Sequence, residues 1–102
     1  MAIMQLSIVT PREGNGAKIE NLLQALDALF AQAKGYVLGL RFSGMGNAQE
    51  LGRIFVWESQ EAAEEAVGSR EASVILSRLK ELAEADPLEQ SYELQGYALK
   101  PR

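Results

Sequence analysis

The stretch Arg53-Ile54-Phe55-Val56-Trp57-Glu58-Ser59 decides the fold. β-Branched and aromatic residues dominate it, and it holds the sole tryptophan, so its pattern is that of a strand. Directly after it, Gln60-Glu61-Ala62-Ala63-Glu64-Glu65-Ala66 switches to helical spacing. Ser59 is a natural N-cap for that helix, and Glu61 puts negative charge in its first turn. A central strand therefore runs straight into a helix, with a large aromatic at the junction.

Upstream, Tyr36 to Ser43 reads as a second strand. The short loop Gly44 to Gln49 makes an antiparallel hairpin of it and the central strand. That loop is glycine-rich but has neither the spacing nor the lysine of a phosphate loop. Before it, Ile19, Leu22, Leu23, Leu26, Leu29, Phe30 and Ala33 form one apolar stripe at helical spacing. Glu20, Gln24 and Asp27 sit off that stripe. Asn15 is a candidate N-cap, and Lys34-Gly35 is the stop signal, with glycine free to turn left-handed. Ile3 to Thr10 is the first strand, with Met4, Leu6 and Ile8 on one face and Gln5, Ser7 and Val9 on the other.

Downstream, the helix over Gln60 to Val67 breaks at Gly68-Ser69. A second helical piece runs from about Glu71 to Ala85, and Asp86-Pro87 stops it. Leu88 to Leu99 reads as the last strand, with Gly96 at a bulge. Lys100-Pro101-Arg102 is a tail.

The order strand, helix, strand, strand, helix, strand is the ferredoxin-like βαββαβ arrangement in the α+β class. It predicts a four-stranded antiparallel sheet with the helices on one face, in one domain spanning residues 1–102. By alternation, Leu6, Ile8, Leu38, Leu40, Phe42, Phe55 and Trp57 are expected to face the helices. The opposite face then carries Gln5, Ser7, Val9, Val37, Gly39, Arg41, Ile54, Val56 and Glu58. Val37, Ile54 and Val56 would be an apolar patch in water, which predicts a homodimer with sheets face to face. Arg41, Glu58, Val56, Ile54 and Val37 are the expected interface residues, the charged pair matching across it.

Composition narrows the function. The net charge is −4 and the ten basic residues are scattered, against the phosphate neutralisation that nucleic-acid binding needs. No apolar run is long enough to span a membrane. Met1 to Leu6 lacks a basic segment and alternates like a strand, unlike a signal peptide. There is no cysteine, which removes disulfides and thiolates and fits a cytoplasmic protein. There is no histidine, which removes the commonest metal ligand and general base. Glu61, Glu64 and Glu65 are a solvated helix face, so no metal site is expected.

The chain resembles the antibiotic biosynthesis monooxygenase domain family, a group of dimeric α+β barrels. The resemblance rests on the strand-one start, the Gly35-Tyr36 step, Val56-Trp57-Glu58-Ser59 before an Ala/Glu helix, and a late helix ending before Pro87. The family tends to have proline before the glycine at the helix-to-strand step; here Lys34 stands there. The resemblance implies a dimer with a pocket in each subunit between sheet and helices. Characterised members are cofactor-free monooxygenases of polycyclic phenols or quinols, or haem-degrading enzymes. The haem branch needs a late-helix histidine and a strand-one asparagine, where this chain has Val74-Ile75-Leu76 and Met4-Gln5.

The resemblance therefore implies oxidation of an apolar phenolic or quinol-like molecule, with no cofactor. Such chemistry needs a dry pocket whose polar groups hold a phenolate. Its candidate residues are Trp57, Tyr36, Arg53, Phe55, Phe42 and Tyr92, with Arg41 nearby. Trp57 and Tyr36 also fit as core packing residues, and Arg53 as a strand-end arginine reaching water or Glu61 or Glu65. Tyr92 fits pocket wall and interface equally. The alternative function is a non-catalytic or stress-related dimer that binds a small apolar molecule. Other proteins of this fold are a poorer match: Pro11 to Gly16 lacks an acylphosphatase anion loop, and no basic aromatic strands offer an RNA surface.

Overall fold

The computed structural model describes residues 1–46, 49–98 and 101. The strands are β1 (Ile3–Val9), β2 (Tyr36–Ser43), β3 (Leu51–Trp57) and β4 (Leu88–Glu93). The helices are α1 (Gly16–Ala31), α2 (Gln60–Val67) and α3 (Arg70–Leu82). The strands form one antiparallel sheet in the order β2-β3-β1-β4, as the ferredoxin-like arrangement requires. Among the described residues no helix is long and apolar enough to cross a membrane.

Serine caps start two of the helices, the expected one at Ser59 and a further one at Ser69. Ser59 Oγ accepts from Ala62 N at 3.1 Å and starts α2; Ser69 Oγ accepts from Ala72 N at 3.2 Å and starts α3. Asn15 occupies the N-cap position of α1 but its side chain makes no cap bond. Gly35 has φ +85°, and its carbonyl accepts from Glu58 N at 2.7 Å, tying the α1–β2 step to the end of β3.

Element ends differ from expectation where pairing partners decide them. α1 stops at Ala31, three residues short of Lys34. α3 stops at Leu82 because Ala83 turns extended and bridges Pro11, while Glu84 N donates to Thr10 O at 2.8 Å. β4 stops at Glu93, opposite Ile3, where its partner β1 begins. Gly96 thus lies beyond the strand and forms no bulge in it. Leu99, the expected strand end, lies outside the described residues, as do Asn47 and Ala48 of the β2–β3 loop and Lys100 and Arg102 of the tail.

Two strand faces are reversed from the alternation argument. Directly paired residues share a face, and Gln5 pairs with Phe55, Ser7 with Arg53 and Val9 with Leu51. Phe55 and Trp57 do face the helices, so Gln5, Ser7 and Val9 join them there, and Met4, Leu6 and Ile8 take the other face. In β2 a register shift between Tyr36 and Leu38 makes Val37 an extra residue. Tyr36 then faces the helices beside Trp57, whereas Leu38, Leu40 and Phe42 face away. Phe42 lies over Gly52, whose Cβ position is 2.2 Å from the ring, so it is not a neighbour of the helices. Gly39 and Arg41 move to the helix side.

The core lies between the sheet and the helices. Phe30 of α1 meets Phe55 edge-on at 4.8 Å and Trp57 at 5.2 Å, and Tyr36 meets Trp57 at 5.6 Å. Ala63 and Ala66 of α2 and Ala72 of α3 let those helices approach closely, and Leu23, Leu26, Leu79 and Leu82 close the layer. Among the described residues no layer covers the opposite sheet face. Leu38, Leu40, Phe42, Leu88 and Tyr92 are exposed on it, with Leu40 at 58%.

Gly35 is held by two constraints at once. Its φ is disallowed for most side chains, and an added Cβ would stand 2.5 Å from Ala62 Cβ. Gly35→Ala is expected to lower unfolding free energy by about 2 kcal/mol or more, read from urea denaturation. An unchanged midpoint would show that the α1–β2 step can relax around a side chain.

Candidate functional site

A row of polar residues crosses the helix-facing side of the sheet. Arg41 (β2) pairs with Arg53 (β3), Arg53 with Ser7 (β1), and Ser7 with Glu89 (β4). Two arginines side by side repel each other, so each needs compensation. Arg41 has it: its Nε lies 2.8 Å from Oδ2 of Asp27, one turn from Leu23 on α1. Its expected place at a sheet-to-sheet interface is thus corrected, since it is drawn to the helix layer by that carboxylate.

Among the described residues Arg53 has no ion pair of that kind. It is 7% exposed, and its Nε has no hydrogen-bond acceptor. Its guanidinium carbon lies 4.7 Å from the centre of the Phe55 ring, a cation–π contact. Burial pushes its pKa down to about 10, while Glu89 and Asp27 act in the opposite direction. It is therefore charged at neutral pH. Burial raises the Asp27 carboxyl above its ordinary value, with Arg41 and Arg53 opposing, and its Oδ1 is also buried without a partner. Tyr36 is raised too, by burial and then by the Asp27 charge.

Two cavities meet at Arg53. The smaller, of about 90 Å³, is lined by Gln5, Ser7, Phe30, Arg53, Phe55, Val67, Leu76 and Glu89, among others. The larger, of about 380 Å³, lies towards α3 and shares Ser7, Arg53, Leu76 and Glu89, adding Val9, Leu23, Leu79 and Lys80. Together they form a cleft between the β1–β4 side of the sheet and α3. Its lining mixes aromatic and aliphatic side chains with polar ones, Gln90, Ser91 and Asp86 among them, and it carries one buried cation, Arg53. A wider depression of about 750 Å³ is lined by Arg12, Glu13, Glu20 and Glu84, among others. Among the described residues no group of three or more metal-ligating side chains comes together.

The residues singled out in the sequence divide. Arg53 and Phe55 line the cleft. Trp57 is 0% exposed, lines none of the described cavities, and donates its indole N–H to Gln5 Oε1 at 2.9 Å. Tyr36 packs beside it with its hydroxyl over Gly39. Phe42 is on the far face. Tyr92, beside Met4 on the far face, bonds Gln90 through its hydroxyl and borders a third hollow of about 220 Å³ with Ile3, Gln5 and Glu64. Ile54 and Val56 are on the uncovered face with Leu40 and Leu38, Val37 is the half-exposed extra residue of β2, and Glu58 is exposed past the end of β3.

Ser7, Glu89, Phe30, Leu76 and Asp27 were not legible as site residues. Asp27 alone carried a signal: it follows Leu23 by four and precedes Phe30 by three, so it borders the buried stripe and calls for a cationic partner.

Trp57 therefore acts through packing and its bond to Gln5. Trp57→Ala is expected to cost about 3 to 5 kcal/mol in denaturation, and Trp57→Phe about 1 to 3. Ligand binding that fails in a well-folded Trp57→Phe protein would instead put the indole in the site.

No family model and no curated protein matches the sequence. Solved structures do match the fold. SnoaB from Streptomyces nogalater, a cofactor-independent oxygenase, superposes with a TM-score of 0.84 at 16% identity, over 97% of this chain and 98% of its own. Rv0793 from Mycobacterium tuberculosis gives 0.89 at 16% identity, over 97% and 100%. An antibiotic biosynthesis monooxygenase gives 0.82 at 8% identity, over 92% and 99%. This chain has the ferredoxin-like α+β fold of the antibiotic biosynthesis monooxygenases.

Proposed function

We propose that the protein is a cofactor-independent monooxygenase that oxidises an apolar phenolic or quinol-like small molecule in the sheet–helix cleft. The observation that carries this reading is the cleft itself: an apolar side formed by Phe30, Phe55, Val67 and Leu76 beside a buried, charged Arg53, in the fold that SnoaB also has. An electron-rich ring can pass an electron to oxygen without a metal or flavin. One oxygen atom then enters the substrate and the other leaves as water, with all four electrons supplied by the substrate. The enzyme's part is to exclude water, hold the ring, and favour an anionic form of the substrate through a fixed positive charge. Phe30, Phe55 and Leu76 do the first two, and Arg53 does the third.

The reaction is tested by oxygen uptake with a panel of quinols and anthrones, without added metal or flavin. Consumption of one oxygen molecule per product is expected. Rates no faster than buffer across the panel would sink the oxygenase reading. A second reading, a non-catalytic binder of an apolar molecule, draws on the enclosure of Trp57 away from every described cavity. It predicts thermal stabilisation by cleft ligands with no oxygen consumed.

The working unit is a homodimer that buries the uncovered sheet face, in the cytoplasm. Met4, Leu6, Ile8, Ile54, Val56, Leu38, Leu40, Phe42, Leu88 and Tyr92 share that face, more apolar than the sequence pattern promised. Light scattering at micromolar concentration should give twice the chain mass, and Leu40→Glu should halve it. A monomeric wild-type protein would refute the dimer.

A further inference from the structure

Arg53 stands apart from the other charged groups of the helix-facing surface. Its exposed neighbour Arg41 is matched by Asp27 at 2.8 Å, yet the Nε of Arg53, buried from water, has no acceptor among the described residues. The face of Phe55 at 4.7 Å compensates part of the charge and none of the N–H directionality. Both cavities of the cleft open onto this one side chain. We infer that the cleft recognises its ligand by a carboxylate group, held by the guanidinium of Arg53, with the apolar body of the ligand against Phe30, Phe55 and Leu76.

Three features select a carboxylate. A guanidinium edge presents parallel N–H donors, and a planar two-oxygen acceptor satisfies both, which a single phenolate oxygen cannot. The surroundings favour one negative charge over two, because Glu89 lines the same cleft and Asp27 lies on the α1 side of the arginine. A phosphate monoester would bring a second charge into that field, so it is disfavoured. Phe30, Phe55, Val67 and Leu76 form one apolar side of the cleft, across from the polar Gln5, Ser7, Gln90 and Ser91, so a ring system in the ligand has a hydrophobic surface to lie against. The ligand is thus a hydrophobic acid, and if the cleft oxidises phenols, its substrate carries a carboxylate as well as the reacting ring. This rests on the cleft being the substrate site proposed above, and not on the oxygen chemistry.

The test is calorimetric titration of the protein at neutral pH under argon with 2-naphthoate, 2-naphthamide and 2-naphthol. The acid should bind at least about tenfold more tightly than the amide or the phenol, as expected for hydrogen bonds to a buried charge. Arg53→Met should erase the preference, so that acid and amide bind alike. Arg53→Lys, which keeps the charge without the fork, should retain only part of it. Equal binding of acid and amide overturns the inference, as do naphthol binding as tight as naphthoate, no saturable binding of the acid, and a preference that survives in Arg53→Met. If the methionine variant does not fold, an undiminished preference in the lysine variant overturns it instead. Because no oxygen is present, acid-selective binding stands even if uptake assays refute the oxygenase, and the reverse pairing is equally visible.

Discussion

The aromatic contact between α1 and β3 carries the molecule. Phe30 presents its edge to both Phe55 and Trp57, and Tyr36 closes the group from β2. Four rings from two strands and a helix are thereby locked in T-shaped and tilted geometry, which fixes the distance and rotation of α1 above the sheet. The Trp57 indole N–H is satisfied by Gln5 on β1, so the same cluster also ties the two central strands together through a side chain. Small residues of α2 and α3 then pack against it, and the cleft is the space that remains where the aromatic packing ends at Phe55 and Phe30.

The price of this arrangement is a polar row beneath the helices. Placing Trp57 and Phe55 inward brings Arg53 inward as well, because residues two apart on a strand share a face. The registers with β2 and β1 then add Arg41, Ser7 and Glu89 to the same row. Asp27 neutralises one arginine, and the cleft leaves the other open to whatever enters. A structural constraint on strand β3 thus sets up the charge that the cleft can use, and no residue at the site is freely chosen once the tryptophan is buried.

The other face of the sheet follows from the same choice. With Gln5 and Ser7 turned to the helices, β1 sends Met4, Leu6 and Ile8 outward, and the extra residue at Val37 sends Leu38, Leu40 and Phe42 with them. The uncovered face is therefore richer in large apolar groups than the covered faces of β1 and β2. A rule that turns the more hydrophobic side of each strand towards the helices fails in this protein, because the register of β1 and the extra residue in β2 override it.

Element type and order were legible from residues alone, because they depend on local physics. Alternation in β3, the heptad-like stripe of α1, the Ser59 cap, the break at Gly68-Ser69 and the left-handed turn at Gly35 act within a few residues of themselves. The inward direction of Arg53, Phe55 and Trp57 was legible too, since bulk and aromaticity dominate that strand. What only the tertiary structure decided were quantities that depend on a partner far along the chain. The facing of β1 follows from its register with β3, and that of β2 from one inserted residue; the ends of α3 and β4 follow from Pro11 and Ile3. The meeting of Ser7, Arg53 and Glu89 spans three strands whose registers no local pattern encodes, so the site became visible only when the sheet was assembled.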